Sequence, residues 1–500
     1  MDSEERTEVP EETGNMVYRN HYSSLIESLL SLVLSGGLMF LIVYVSSGHE
    51  EAILQEHPWL TFVLAVLLLI AFVNVRVWML TKYEFGPTEL RVNKTTLFRK
   101  ETNIQYSKMA SVNVRRTVIN RIFGSTTLLF NINSSVNSMQ AEVTLTLRSD
   151  EADRLREEIS SRIFNKQMVI ETEREEESLV KISNLDVILH GFFGQPTASS
   201  AIGLVFLAYS IISTIFTSGG SFMAFILFGI TTVLPWIRTI LRYYNYRIYR
   251  IGDTITVESG LLNTYRSSFK INKINCVRIR EPLLARMIGK SLLEAEVVGL
   301  ADTEGLPLLC PLKGRKTVSK LAEELVPEFI FETSHRVQPK RSLVPTLSYK
   351  GVFSLISLAA GLVGLFLFLS RRSELDSIAS IVCIIVLATA LVIIPAILMV
   401  HGMLAQRGRE FEMGDETFMF VIGAYDRERE FVRYDKVQVS SVSSGPIQRR
   451  YGVGRCTVSL MSSRGAKSIT SGLFDREELE RVGEEIMARI KDGRYDHRRY

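Results

Sequence analysis

The 500-residue chain has little cysteine: Cys276, Cys310, Cys383 and Cys456, with no Cys-x-x-Cys and no regular spacing. That excludes a disulfide scaffold and a thiolate metal site, and fits free thiols in a reducing compartment. The seven histidines form neither an i, i+4 pair nor His-Glu-x-x-His, so no metal centre is expected. The opening stretch MDSEERTEVPEETG is polar and acidic; it lacks the apolar core of a secretory signal and reads as a disordered tail. A net charge of +4 gives no reason to expect nucleic-acid binding.

Chemistry is also sparse. There is no Gly-x-Ser-x-Gly and no acid pair that recurs along the chain. Gly289-Lys290-Ser291 has the ending of a phosphate-binding loop, but Leu284 stands where that loop needs its first glycine, so no nucleotide is expected. No enzyme activity and no cofactor are read from these residues.

What is abundant is apolar sequence, confined to runs at 29–47, 60–77, 197–217, 222–237, 352–369 and 378–404. At 1.5 Å per residue each is about long enough to cross ~30 Å of hydrocarbon. None carries the polar stripe of a soluble core helix. The runs pair up as three hairpins. The links within the first two pairs contain no Lys or Arg, whereas Lys82, Arg238, Arg242, Arg247, Arg250, Lys350, Arg407 and Arg409 follow or precede the opposite ends. Arg371 and Arg372 in the third link break the pattern, accompanied by Glu374 and Asp376. On balance positive charge, which favours the cytoplasmic side, places both termini and the large segments there, with the protein multi-pass in the cell membrane. Arg242, Arg247 and Arg250 are then candidates for contact with the anionic inner leaflet.

The segments after each hairpin repeat. Aligning Leu90, Ile255 and Phe418 brings Lys108, Lys273 and Lys436 together, then Arg121, Arg286 and Arg449, then Gly124, Gly289 and Gly452, all without a gap. Alternating residues around the lysines predict strands. An amphipathic helix closes each copy, with Leu155, Ile159 and Ile163, then Val318, Leu321 and Leu325, then Leu479, Val482, Ile486 and Ile490 on one face. Asp150 and Asp475 are candidate helix caps. The repeated Lys, Arg and Gly are structural or partner-contact candidates. Phosphoinositide recognition by a first-hairpin basic cluster (Lys94, Arg99 and Lys100) is not shared by the other copies.

A hydrophobic pair, an opening strand, a Lys-apolar strand, an Arg-x-x-Gly turn (NRIFG, ARMIG, QRRYG) and a closing helix resemble the bacterial membrane-linked pleckstrin-homology (PH-like) family. The expected fold is a polytopic α-helical membrane protein, six helices in three hairpins, with three α+β PH-like domains, each a small antiparallel sheet or barrel capped by a C-terminal helix. The expected division is an acidic tail 1–20, hairpin 21–81, domain 82–165, linker 166–196, hairpin 197–241, domain 242–330, linker 331–350, hairpin 351–404, domain 405–491 and basic tail 492–500. The resemblance implies a complex with a smaller single-module PH-like membrane protein and a link to envelope stress or antimicrobial-peptide tolerance. The expected function is a non-enzymatic scaffold binding protein partners, a second copy of itself among them. A transporter or exporter component is the alternative. One departure is Thr95, where the other copies have Gly260 and Gly423.

Overall fold

A computed structural model describes residues 16–46, 58–95, 99–132, 143–164, 182–216, 222–298, 307–371, 377–462 and 465–494. The apolar runs are helical: Tyr22–Ser46 and Pro58–Leu80, Thr197–Phe216 and Phe222–Tyr243, Leu343–Arg371 and Ser377–Gly408. Among the described residues four are long and apolar enough to cross a membrane, Trp59–Leu80, Ala224–Tyr243, Lys340–Arg371 and Cys383–Gly408. A fifth counts only if Asn184–Phe193 and Thr197–Ile212, bent by 71°, act as one span. By this measure four or five spans are supported, and the expected six are not confirmed. Asn184–Phe193 lies within the expected linker and packs on a soluble module: Leu189 and Phe193 contact the core formed by Leu292, Leu308 and Leu312.

In the second helix of the later two hairpins, one turn widens to a π-turn, at Gly229–Val233 and Thr389–Ile393, just before Pro235 and Pro395. Proline offers no N–H and its ring crowds the carbonyl four residues back; the wider turn absorbs both. Gly36 and Gly361 let the helices of the first and third pairs approach closely, since an added Cβ would fall 2.7 Å from Leu67 and Leu391 respectively.

The chain divides into two compact units, one comprising residues 1–177 with 262–269, the other nearly all the rest. In the first, strands β1 (Met16–Tyr18), β2 (Thr81–Phe85), β3 (Glu89–Thr95) and β4 (Arg99–Gln105) form one antiparallel sheet in that order. Strands β5 (Met109–Arg116), β6 (Ser125–Ile132) and β7 (Val143–Arg148) form a second. The two sheets and the helix Ser149–Phe164 enclose a core that includes Leu90, Val92, Leu128, Phe130, Leu145 and Leu155. β1 corrects the expected tail of residues 1–20: Met16, Val17 and Tyr18 pair with Phe85, Glu84 and Tyr83, and Tyr18 meets Phe85 edge-on at 5.6 Å. An apolar, β-prone triplet beside an open strand edge finds a partner there. Residues 1–15 lie outside the described residues.

The second module supplies β8 (Arg247–Ile251), β9 (Thr254–Ser259), β10 (Thr264–Lys270), β11 (Ile274–Glu281), β12 (Lys290–Val297) and β13 (Leu308–Gly314). The third supplies β14 (Glu410–Met413), β15 (Thr417–Ile422), β16 (Arg427–Arg433), β17 (Val437–Ser443), β18 (Val453–Ser462), β19 (Gly465–Thr470) and β20 (Phe474–Asp475). In the second unit β8 and β9 form a hairpin, and one six-stranded sheet runs β13-β12-β11-β16-β15-β14. β17, β18 and β19 form another, with β20 paired to β18.

The closing helices bury the expected stripes, Leu155 and Ile159, then Val318, Leu321 and Leu325, then Leu479, Val482 and Ile486. Ile490 is exposed instead, and Arg489 is buried beside it. The side chain of Ile163 lies outside the described residues. Of the expected caps, Asp150 falls inside the first turn of its helix. Asp475 precedes its helix but makes no side-chain cap; its carboxylate pairs with Arg341.

Candidate functional site: module turns and module joints

Arg121, Arg286 and Arg449 occupy equivalent places in three short helices, Val118–Ile122, Leu283–Met287 and Pro446–Arg450. Gly124, Gly289 and Gly452 follow with φ of 62°, 69° and 65°, the left-handed conformation that ends a helix without a Cβ penalty. Each glycine N–H donates to the carbonyl of its arginine, at 3.3, 3.2 and 3.1 Å. Each glycine carbonyl in turn accepts from the start of its closing helix, Ser149, Arg315 or Arg476. The repeated arginine contributes its backbone to this stitch, while its side chain is exposed in every copy.

These turns sit at the foot of the membrane helices. Phe123 meets Tyr22 edge-on at 5.2 Å, and Glu27 lies 3.7 Å from Arg115. Leu283 N–H donates to Thr197 Oγ1 at 3.2 Å. A Cβ on Gly445 would fall 2.8 Å from the Tyr349 hydroxyl. Beside the exposed arginines are exposed apolar side chains, Ile122 (71%), Met287 (77%) and Ile447 (41%). Cationic and apolar groups exposed together at a helix foot suit the interfacial layer of a bilayer.

Lys108, Lys273 and Lys436 end three-residue 3₁₀ turns, Tyr106–Lys108, Ile271–Lys273 and Tyr434–Lys436. In each, the first residue is buried and its N–H donates to the carbonyl of Thr88, Asp253 or Glu416. One strand separates each lysine from its arginine turn, about 25 Å at 3.3 Å per residue. The structure therefore sends the repeated residues to opposite ends of a module. Lys108 is exposed, Lys436 pairs with Asp435 at 3.3 Å, and Lys273 is held below the usual lysine range by burial and by Lys436.

Of the three inner-leaflet candidates, Arg242 stacks on Tyr243 at 5.4 Å and Arg247 is exposed at the start of β8. Arg250 is turned elsewhere. Its guanidinium donates to the Leu325 carbonyl at 2.7 Å and to Glu328 at 2.9 Å, neutralising the C-terminal end of the helix Arg315–Leu325.

Sequence reading missed the joints. β5 pairs antiparallel with β10, Arg115 facing Tyr265, within the first unit. β11 pairs antiparallel with β16, Arg280 facing Glu428, within the second. The offsets that carry Lys108 onto Lys273, and Lys273 onto Lys436, also carry the first facing pair onto the second, so both joints share one register. At the second joint Cys276 enters the core of the third module beside Val432 and Tyr434. Arg278 reaches Glu430 at 2.8 Å, Glu294 at 3.4 Å and Glu296 at 3.5 Å, and Lys467 reaches Glu296 and Glu430 at 2.9 Å each. Burial pushes the Glu428 carboxyl up, against the pull of Arg278 and Arg280. The signal was present: Arg278 and Arg280, Glu294 and Glu296, Glu428 and Glu430 are charges two apart on strands, hence on one face. Among the described residues no group of His, Cys, Asp or Glu is placed to hold a metal ion.

The bacterial PH domain model matches residues 33–163, 197–325 and 355–490, each match starting in a hairpin and ending in a closing helix. The chain belongs to the bacterial PH domain family and is a membrane protein carrying that domain three times. Among known proteins it is similar to the UPF0699 transmembrane protein YdbT of Bacillus subtilis (strain 168), 21% identical over 514 residues and covering 95% of each chain.

Proposed function

We propose that this protein is a non-enzymatic membrane scaffold: six helices in three hairpins hold PH-like modules at the cytoplasmic face, where they meet protein partners. The observation that supports this best is the pair of joints with one register, which makes a sheet surface out of successive modules rather than a catalytic cleft. Exposed Arg121, Arg286 and Arg449, with Arg242 and Arg247, would rest on anionic headgroups. A smaller single-module PH-like membrane protein is the expected companion, in a response to envelope stress or antimicrobial peptides.

Purification of the tagged full chain in gentle detergent from its native host, followed by mass spectrometry, tests the reading. A stoichiometric membrane companion bearing the same module supports it. A chain that emerges without one removes the companion and weakens the scaffold reading against transport. Orientation is read separately: single cysteines in the links at 48–57 and 218–221 should react with an impermeant maleimide on intact cells, and cysteines on the modules should not.

A further inference from the structure

Within the chain, the outer edge of β5 is covered by β10 and that of β11 by β16. The third copy of this edge belongs to β17, and among the described residues no strand covers it. The effect on exposure is direct. Cys276 and Val439 are equivalent under the repeat; Cys276, facing Val432 of β16, is 0% exposed, and Val439 is 58% exposed. A groove runs along this edge between β17 and the closing helix Arg476–Lys491, lined by Ser440, Val442, Glu480, Gly483, Glu484 and Met487.

The complementary edge is open as well. β10 and β16 are the second and third copies of the strand that covers such an edge, and β4 is the first. β4 ends its sheet, and all but two of its residues are exposed, whereas no residue of β16 is. The third module thus offers an acceptor edge without its strand, and the first module a strand without its edge.

We infer that β17 of one copy pairs antiparallel with β4 of a second copy of this chain, in the register of the two internal joints. The same offsets place Val439 opposite Ile104, Ser441 opposite Thr102 and Ser443 opposite Lys100. Backbone groups supply most of the adhesion, as in other added-strand interfaces. Side chains add to it: Val439 gains the apolar cover that Cys276 has, and the ion-paired Arg99 and Glu101 are carried to the groove rim, opposite Ser444 and Val442. The contact is head-to-tail, so it propagates until it closes as a ring or continues as a row in the membrane plane. It rests on reading the modules as an array joined edge to edge. It does not need the smaller companion.

The test uses the full chain in its native membrane, with Cys383 replaced by Ala; the other three cysteines are buried. Ser441→Cys and Thr102→Cys are placed on separately tagged chains, co-expressed and oxidised with copper phenanthroline. Directly opposed residues meet disulfide geometry, and a slip of one position turns the side chain to the other face. The expected result is a dimer containing both tags, with about tenfold less from Ser440→Cys with Thr102→Cys. A chain carrying both Ser441→Cys and Thr102→Cys should give a ladder of multimers. Val439→Lys, at an exposed position, should reduce the particle mass of the solubilised wild type to that of one chain. Three results overturn the inference: a link closed within one chain, a link from Ser441→Cys to a smaller protein, or a wild type that already has single-chain mass. The link to a smaller protein would strengthen the companion reading, and loss of the companion would leave the self-association result intact.

Discussion

Arg278 of the second module donates its Nε–H to Glu430 of the third at 2.8 Å, across the strand pairing of β11 with β16. Around it stand Glu294, Glu296 and Glu428, with Arg280 and Lys467 as the remaining cations. Carboxylates outnumber cations, so losing a cation is the more damaging change. Arg278→Met should destabilise the second unit by about 3–5 kcal/mol, the usual consequence of stranding buried charge. Thermal unfolding in detergent, followed by protease resistance at the joint, measures it.

Glu428 gives the same cluster a pH dependence. Its folded pKa is raised above its unfolded value by burial, so its favourable contribution is present below the ordinary glutamate range and is lost as pH rises through the raised value. Glu428→Gln should therefore raise the melting temperature at pH 7, and the gain should vanish as the pH falls below about 4.3. A gain that persisted at low pH would show that the carboxyl acts through packing instead of charge.

Gly289 has a φ of 69° and open space where a Cβ would stand. Gly289→Ala should then cost only the left-handed backbone term, about 1–2 kcal/mol. Gly289→Asn should cost less, because asparagine tolerates this conformation. Denaturant midpoints of the two variants decide the order.

Arg489 is a buried cation in the last turn of the closing helix Arg476–Lys491. It stacks on Tyr434 at 4.5 Å, pairs with Glu485 at 2.7 Å and Glu416 at 3.1 Å, and donates to the Asp415 carbonyl. Arg489→Lys keeps the charge and loses the planar fork, so it should recover little of what Arg489→Ala forfeits, about 2 kcal/mol. Hydrogen exchange of the helix C-terminus reads the difference locally.

The repeat was legible because its marks are backbone requirements. A left-handed glycine and the corner lysine recur at fixed spacing whatever the side chains around them do. The hairpins were legible as apolar runs. What stayed hidden was which strand lies beside which. β10 and β16 look like ordinary members of their own modules, and no local pattern says that Tyr265 faces Arg115 or that Glu428 faces Arg280. The reassignment of Arg250 was hidden for a similar reason: a basic residue near a membrane span reads as a lipid contact until the helix end it neutralises is seen. The buried pair Gln338 and Gln406, whose amides bond at 2.6 Å at the foot of the third hairpin, reads in sequence as linker and helix end.

The equal register of the two joints bears on how such a chain can change over time. Adhesion through main-chain donors and acceptors makes little demand on which side chains face each other, and the two joints already differ, arginine against tyrosine in one and arginine against glutamate in the other. Tandem duplication of a hairpin with its module would therefore deliver a new unit whose strand and edge fit its neighbours at once, with no matching substitutions elsewhere. Module number becomes something a lineage can alter in a single genetic step.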